Sequence, residues 1–174
     1  MFFVSCELLY AIYVVLRVAP EAGAIQAFYL PRSFLLTTID LLGISVLLHM
    51  AVQAIRHEKQ TDFIRYVVLA CLLALIFFGL QSVGLATMIS DMQRPGPALQ
   101  NLYGFTFFLV IIHALHVVGG VAGLVFLLFG IARKAYDHER YFPVKFCALY
   151  WHFLDVVWIL MLASFGLAAY MSKA

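Results

Sequence analysis

Seven polar side chains lie inside otherwise apolar stretches of the sequence and could do chemistry there: Glu7, Asp40, Gln81, His113, His116, His152 and Asp155. A charged side chain at the centre of a bilayer costs at least about 2.5–3.5 kcal/mol, so such residues need partners and often serve a function. His113 and His116 are three residues apart, which places them on one helix face. His152 and Asp155 repeat that spacing. We therefore expect two neighbouring polar faces that satisfy each other.

Three kinds of chemistry fit this set of residues. Imidazoles and carboxylates that converge from different helices can bind zinc or non-haem iron, although the sequence contains no HExxH motif and no Glu-x-x-His pair. A buried hydrogen-bond network that locks the helices together is the preferred interpretation. A proton-handling role for Glu7 or Asp155 is the third, because the bilayer penalises the charged form of a carboxyl group.

Redox chemistry has no matching pattern. The sequence lacks CxxCH, Walker and dinucleotide-binding motifs, and no pair of well-separated helices presents the six histidines that a haem–copper centre needs. Its three cysteines, Cys6, Cys71 and Cys147, lie in apolar runs without a CxxC pair and are interpreted as packing residues. We expect this chain to bind no metal, haem or copper.

Small and aromatic residues indicate helix contacts. Gly119 and Gly123 form a GxxxG pattern, which lets another helix approach closely. Trp151 and Trp158 flank Asp155 at helical spacing. We expect the two tryptophans to pack a protein–protein face rather than to bind a cofactor.

The composition is that of a membrane protein. Of 174 residues, 65% are hydrophobic and only 11% are charged, whereas a soluble domain carries about 25% charged residues. Spanning a bilayer takes about 20 predominantly apolar residues, and five stretches qualify: 1–18, 31–55, 63–89, 102–132 and 144–170. The net charge of +2, without a basic cluster, argues against a nucleic-acid partner. The sequence predicts an all-α, polytopic bundle of five transmembrane helices that forms a single domain over residues 1–174.

Basic residues predict the orientation of this bundle. Most of them fall in the second and fourth connections: Arg56, Lys59, Arg65, Arg133, Lys134, Arg140 and Lys145. The positive-inside rule places these connections in the cytoplasm, with the N-terminus inside and the C-terminus outside. The first stretch lacks a basic leader and contains Glu7, which favours a retained helix over a signal peptide. Because the apolar run begins at Met1, the question of whether a short polar segment precedes it is left open.

Two motifs carry a resemblance to a known family. Residues 150–158 (YWHFLDVVW) closely resemble the last-helix signature of subunit III of the haem–copper oxidases, and residues 112–120 (IHALHVVGG) resemble its His-x-x-His helix. Residues 79–81 (GLQ) and 3–7 (FVSCE) are similar to its Gly-Leu-Gln run and to the stretch around its membrane-buried glutamate; residues 45–49 (SVLLH) match more weakly. The match covers the whole chain, aligned to helices three to seven of the seven-helix form.

The resemblance implies a non-catalytic subunit of a respiratory oxidase. Family members of this kind hold no haem or copper, which lie in partner subunits. They pack against the catalytic subunit I beside subunit II, bind membrane phospholipid in a cleft, and support turnover and proton uptake. A five-helix form implies a multi-pass protein of a bacterial inner membrane whose lipid cleft lacks the wall formed by the family's first two helices. The electron donor, cytochrome c or quinol, stays open.

Departures from the family pattern leave alternatives open. Gly84 stands where the family commonly has a glutamate, and Asp40 stands where it usually has an apolar residue. Since an unpaired carboxylate at that depth is expensive, Asp40 is expected to have a local partner, from this chain or another subunit. Two other functions share the sequence features: an accessory subunit of a nitric oxide reductase, and an independent membrane metalloprotein that uses His113, His116, His152 and Asp155.

Overall fold

The computed structural model describes residues 2–18, 33–92, 97–133, 136 and 141–171, and these residues are almost entirely helical. Helix α1 covers Phe2–Tyr13 and continues as a π-helical segment over Val14–Val18. The remaining helices are α2 (Ser33–Arg56), α3 (Gln60–Met92), α4 (Pro97–Ala132) and α5 (Phe142–Met171). The prediction of an all-α polytopic bundle is confirmed.

Four of the helices are long and apolar enough to cross a membrane, over Phe34–Arg56, Gln60–Ser90, Gly104–Ala132 and Phe142–Tyr170. They coincide with the second to fifth predicted spans. Helix α1 has 12 α-helical residues, a length of about 18 Å at 1.5 Å per residue, and five π-helical residues follow it. The first predicted span is therefore a helix, while its complete crossing stays a prediction.

The buried positions of α3 have the spacing of a helix in a bundle. On α3 they recur at alternating steps of four and three residues, at Phe63, Val67, Ala70, Ala74, Phe77, Gln81, Gly84 and Met88. This spacing is typical of helices that pack side by side with a left-handed crossing. The opposite face is also apolar, with Leu72, Leu75 and Ile76 more than half exposed. A helix that is apolar all round is built for a lipid environment.

Helices α2 to α5 form a ring in which each helix packs against the next. Helix α2 contacts α3 and α5, and α4 likewise contacts α3 and α5, while α1 lies outside the ring against α4 and α5. On α1, the Tyr10 hydroxyl makes a 3.1 Å hydrogen bond with Thr106 Oγ1, and its ring meets Phe165 edge-on. The core of the ring contains the largest buried side chains, including Trp151, Trp158, Phe34 and Phe77.

The α2–α3 and α4–α5 connections meet at one end of the ring. Gln60 Nε2 donates a 3.2 Å hydrogen bond to the Tyr136 carbonyl, and the Tyr136 ring lies edge-on to Phe63. Arg56 lies 5.6 Å above the centre of the Tyr141 ring. We call this the basic end, because it carries the exposed Arg56, Lys59, Arg65, Arg133 and Lys145. Lys134 and Arg140 lie outside the described residues, and the cytoplasmic location of this end stays a prediction.

Tyr136 fixes the α4–α5 connection by lying on Gly130 of α4. A Cβ atom at residue 130 would overlap the Tyr136 ring at Cε2, Cζ and the hydroxyl oxygen. The ring is 8% exposed, and burial raises the pKa of its hydroxyl. The absence of a side chain at Gly130 thus leaves the space on α4 that the Tyr136 ring occupies.

We expect Gly130→Ala to destabilise the protein by about 1–3 kcal/mol, because the added methyl group displaces the Tyr136 ring. The matched control is Gly166→Ala on α5, where an added Cβ meets nothing within 4 Å; it should be neutral or stabilising, since alanine favours helix. Thermal unfolding of the detergent-solubilised protein, followed by circular dichroism, measures both. Equal melting temperatures for Gly130→Ala and the unsubstituted protein would contradict the close contact.

Candidate functional site

Polar side chains follow the boundary between α2 and α5 from the basic end into the bundle. After the contact between Arg56 and Tyr141, the next pair is His49 and His152, whose ring centres are 6.3 Å apart. Further in, Trp158 Nε1 donates a 2.9 Å hydrogen bond to Thr38 Oγ1. We call the central part of this boundary the α2–α5 polar seam, defined by Ser45, His49, Gln53, His152 and Asp155.

The outer edge of the seam is open to the surroundings. His49 and Gln53 are exposed and His152 is half-buried. His49 Nε2 lies 3.0 Å from Gln53 Nε2, and because an amide NH₂ only donates, the imidazole nitrogen is the acceptor. The Gln53 carbonyl accepts a 2.8 Å hydrogen bond from His57 Nδ1. His49 and Gln53 therefore bond through their side chains, whereas His57, just beyond the end of α2, bonds the backbone carbonyl of Gln53.

The inner part of the seam contains a carboxyl group, that of Asp155, with little hydrogen bonding. Asp155 is 7% exposed and Ser45 is 5% exposed. The Ser45 hydroxyl is the polar group that faces the Asp155 carboxyl, yet Ser45 Oγ and Asp155 Oδ1 do not reach hydrogen-bond geometry. A buried polar group without a partner costs about 1–3 kcal/mol. The seam is thus an arrangement that further hydrogen-bond donors would stabilise.

His113 and His116 do not share a face in the structure. The His113 ring is fully buried and stacks on Trp158 at 5.0 Å between ring centres, and neither of its nitrogens has a hydrogen-bond partner in the described part of the chain. His116 lies on the outside of α4, where Nδ1 donates to the Ile112 carbonyl at 2.8 Å. The expectation that the histidine face of α4 satisfies the His152–Asp155 face of α5 is wrong, because α5 turns that face toward α2.

Glu7 lies in an apolar groove between α1 and α5. The groove has a volume of about 390 Å³ and is lined by Leu8, Ala11, Leu160 and neighbouring apolar residues of α5. Both carboxyl oxygens of Glu7 are buried, and neither has a hydrogen-bond partner among the residues that the structure describes. The Ser164 hydroxyl faces this carboxyl but donates to the Leu160 carbonyl at 3.2 Å.

Asp40 and Gln81 are buried apart from the seam. Asp40 on α2 is 9% exposed, and its Oδ2 atom has no hydrogen-bond partner among the described residues. The local partner expected for it within this chain is therefore not found there. Gln81 is 2% exposed in the core face of α3, and neither its amide nitrogen nor its amide oxygen is hydrogen-bonded within the described ranges.

The side-chain hydrogen bonds found between helices do not use the carboxyl or imidazole side chains selected from the sequence. They include the Tyr10–Thr106 and Trp158–Thr38 bonds and the bond that the Tyr150 hydroxyl donates to the His116 carbonyl at 3.0 Å. The helices are thus linked by hydroxyl and indole groups. The expected network among the acids and imidazoles does not form within the described part of the chain.

Glycines bring α4 and α5 together. A Cβ atom at Gly119 would meet the Tyr150 hydroxyl at 3.2 Å, and one at Gly123 would meet Cys147 Sγ at 3.5 Å. The tightest contact is at Gly120, where a Cβ would lie 3.1 Å from Trp151. The GxxxG pattern located this helix contact but missed Gly120, which is the second residue of the Gly119–Gly120 pair.

The tryptophans and cysteines lie within the bundle. Trp151 and Trp158 are fully buried inside this chain, so the face that they pack is formed by its own helices. Cys6, Cys71 and Cys147 are free thiols that are partly or fully buried.

No group of three His, Cys, Asp or Glu side chains converges on a metal-sized site within the described residues. The proposed metal ligands are separated, since His113 lies in the core and His116 lies on the outer surface. The hypothesis of an independent metalloprotein therefore has no geometric basis in this part of the chain.

Comparisons with known proteins agree on one family. The family model described as cytochrome c oxidase subunit III matches residues 19–169. The chain is 30% identical over 139 residues to "Probable quinol oxidase subunit 3" of Staphylococcus aureus (strain USA300), covering 80% of this chain and 68% of the relative. It is 32% identical over 148 residues to "Cytochrome c oxidase subunit 3" of Branchiostoma lanceolatum, and this match covers 82% of this chain and 52% of the relative. The two relatives' names differ in the electron donor.

The stack at Trp158 generates a stability prediction. Trp158→Ala should cost about 3–5 kcal/mol, because it opens a cavity against His113 and Phe34. Trp158→Phe keeps an aromatic ring but removes the donor to Thr38, and should cost about 0.5–1.5 kcal/mol for the lost hydrogen bond. Phe153→Ala is the control on the same helix, since Phe153 is 52% exposed. Unfolding of the solubilised protein measures all three; a loss for Phe153→Ala as large as for Trp158→Ala would contradict the packing described.

Proposed function

Since this chain belongs to the cytochrome c oxidase subunit III family, we propose that it packs against the catalytic subunit I of the oxidase and stabilises it. The chain is a subunit III of a haem–copper terminal oxidase and a multi-pass membrane protein. The resemblance carried by residues 150–158 and 112–120 is confirmed. The alternative of a nitric oxide reductase accessory subunit receives no support from the comparisons.

The observation that carries the packing role is the set of buried polar atoms without partners. Carboxyl oxygens of Glu7, Asp40 and Asp155 have no hydrogen-bond donor within the described chain. Hydrocarbon offers no donors, so each such group raises the energy of the isolated chain. Association with subunits I and II would supply donors and cover these groups, which gives a physical reason for a subunit that is stable in a complex.

The chemistry of oxygen reduction belongs to the partner subunits in this proposal. Haem and copper would lie there, while this chain contributes packing, phospholipid binding and support of proton uptake. An apolar groove of about 450 Å³ between α4 and α5, lined by Gly119, Gly123, Phe126 and Phe146, is suited to an acyl chain. Another chain would supply the cleft wall that the family's first two helices form elsewhere.

The cellular setting follows from the relatives. A quinol oxidase subunit of a bacterium is among them, and we propose that this chain resides in a bacterial inner membrane. Its N-terminus would then lie inside and its C-terminus outside. The donor, cytochrome c or quinol, is to be identified with the complex itself.

Affinity purification of the tagged chain in mild detergent tests the proposal. We expect subunits I and II to co-purify, identified by mass spectrometry, together with a reduced-minus-oxidised spectrum of haem a or haem o. The spectrum and the partner subunits also identify the electron donor. Recovery of the chain without haem and without an oxidase catalytic subunit would refute the proposed function.

A second experiment addresses the carboxyl group in the α1–α5 groove. We expect Glu7→Gln to leave the subunit composition intact, because the amide is isosteric, while changing the oxidase turnover rate or its decline during sustained turnover. The control is Leu9→Ala on the same helix, where Leu9 is 64% exposed. Oxygen consumption across pH measures both variants. Unchanged turnover of Glu7→Gln at every pH would count against a proton-related role.

A further inference from the structure

The α2–α5 polar seam exposes imidazole groups at bilayer depth. His49 lies seven residues before Arg56, the last residue of α2, a distance of roughly 10 Å along the helix. His49 and Gln53 are exposed there, although both lie within the candidate span Phe34–Arg56. Exposed polar groups at this depth are expensive in lipid, so membrane proteins turn them toward protein or water.

The hydrogen-bonding capacity of this surface is only partly used. His49 accepts from Gln53 through Nε2, so Nδ1 carries the proton of the neutral ring and is a donor. The His152 ring lies 6.3 Å from the His49 ring, and no hydrogen bond of its nitrogens is found within the described residues. The two imidazoles therefore retain hydrogen-bonding capacity for a group outside the described residues.

The exposed charged side chains in line with the two imidazoles are basic. Arg56 lies seven residues after His49, and Lys145 lies seven residues before His152, so each exposed basic residue shares a helix face with one imidazole. The acid of the seam, Asp155, is buried on its inner side facing Ser45, and Asp62 lies 3.6 Å from Arg65 at the basic end. A negative group is therefore the complement of the exposed part of this surface.

The surroundings of the imidazoles fit a protein helix. Exposed apolar side chains flank them on both helices, including Val46, Met50, Leu149 and Phe153. A narrow polar strip between apolar flanks matches a transmembrane helix that carries one polar residue among apolar ones. A lipid phosphate group stays at the membrane interface, whereas His49 lies roughly 10 Å inside the helix end.

We propose that the α2–α5 polar seam docks a transmembrane helix of a partner subunit, and that a carboxylate on this helix binds His49 and His152. This inference rests on the proposed function, because it assigns the face through which the chain joins the oxidase. A carboxylate accepts hydrogen bonds from both imidazoles and balances their charge when they are protonated. Arg56 and Lys145 stabilise the same negative group from the basic end.

The test compares tagged complexes purified from membranes. In His49→Leu/His152→Leu, recovery of partner subunits per tagged chain should fall by about tenfold or more, the value of one hydrogen bond to a charged group. Leucine suits the lipid-facing surface of the free chain, so its amount and helicity should be unchanged. His116→Leu is the matched control, since it removes an exposed imidazole from α4 that bonds its own backbone. Recovery should then equal that of the unsubstituted chain.

A crosslink identifies the occupant. In membranes that contain the His49→Lys variant, a membrane-permeant carbodiimide should couple the new amine to the facing carboxylate as an amide. Mass spectrometry of the linked peptides should find an Asp or Glu within a transmembrane segment of a partner subunit. A link to a second copy of this chain, or no link, would overturn the proposal.

The outcomes separate this inference from the proposed function. If the unsubstituted chain brings down no oxidase subunit, the proposed function fails. If it does, and the double variant retains its partners as well as the unsubstituted chain, the docking face is wrong while the function stands.

Discussion

Hydrocarbon offers no hydrogen bonds, and the rest of this structure depends on that constraint. Each long helix satisfies its own backbone, which allows an apolar surface on every side. Side chains face the same requirement but are not satisfied equally. Tyr10, Thr106 and Trp158 find partners across helices, whereas the carboxyl oxygens of Glu7 and Oδ1 of Asp155 find none among the described residues. A chain whose internal bonds are incomplete in this way is suited to an assembly in which other subunits complete them.

Packing decides which polar residues are enclosed and which are open. Glycines on α4 let Trp151 of α5 approach closely, and this approach turns the indole of Trp158 into the core beside His113. The same rotation of α5 carries His152 and Asp155 toward α2. The position of the polar seam is therefore linked to how the aromatic core is packed.

The sequence predicted the helices well and the pairing of polar residues poorly. Length and hydropathy located four spans that coincide with α2 to α5, and the GxxxG pattern located the α4–α5 contact. The three-residue spacing of His113 and His116 suggested a shared face. Each residue of an α-helix advances about 100° around the axis, so side chains three residues apart point in directions that differ by about 60°. At the edge of a buried stripe, this difference separates a core position from an exposed one.

The sequence by itself determined the class of protein, the positions of the spans and the family, because these depend on local hydropathy and on motifs that are contiguous in the chain. Only the tertiary structure decided that His49 and Ser45 of α2 lie beside His152 and Asp155 of α5. That juxtaposition joins residues about one hundred positions apart, and it follows from the order of helices around the ring. Helix order and rotation are set by side-chain packing between segments, which no pattern within a single segment specifies.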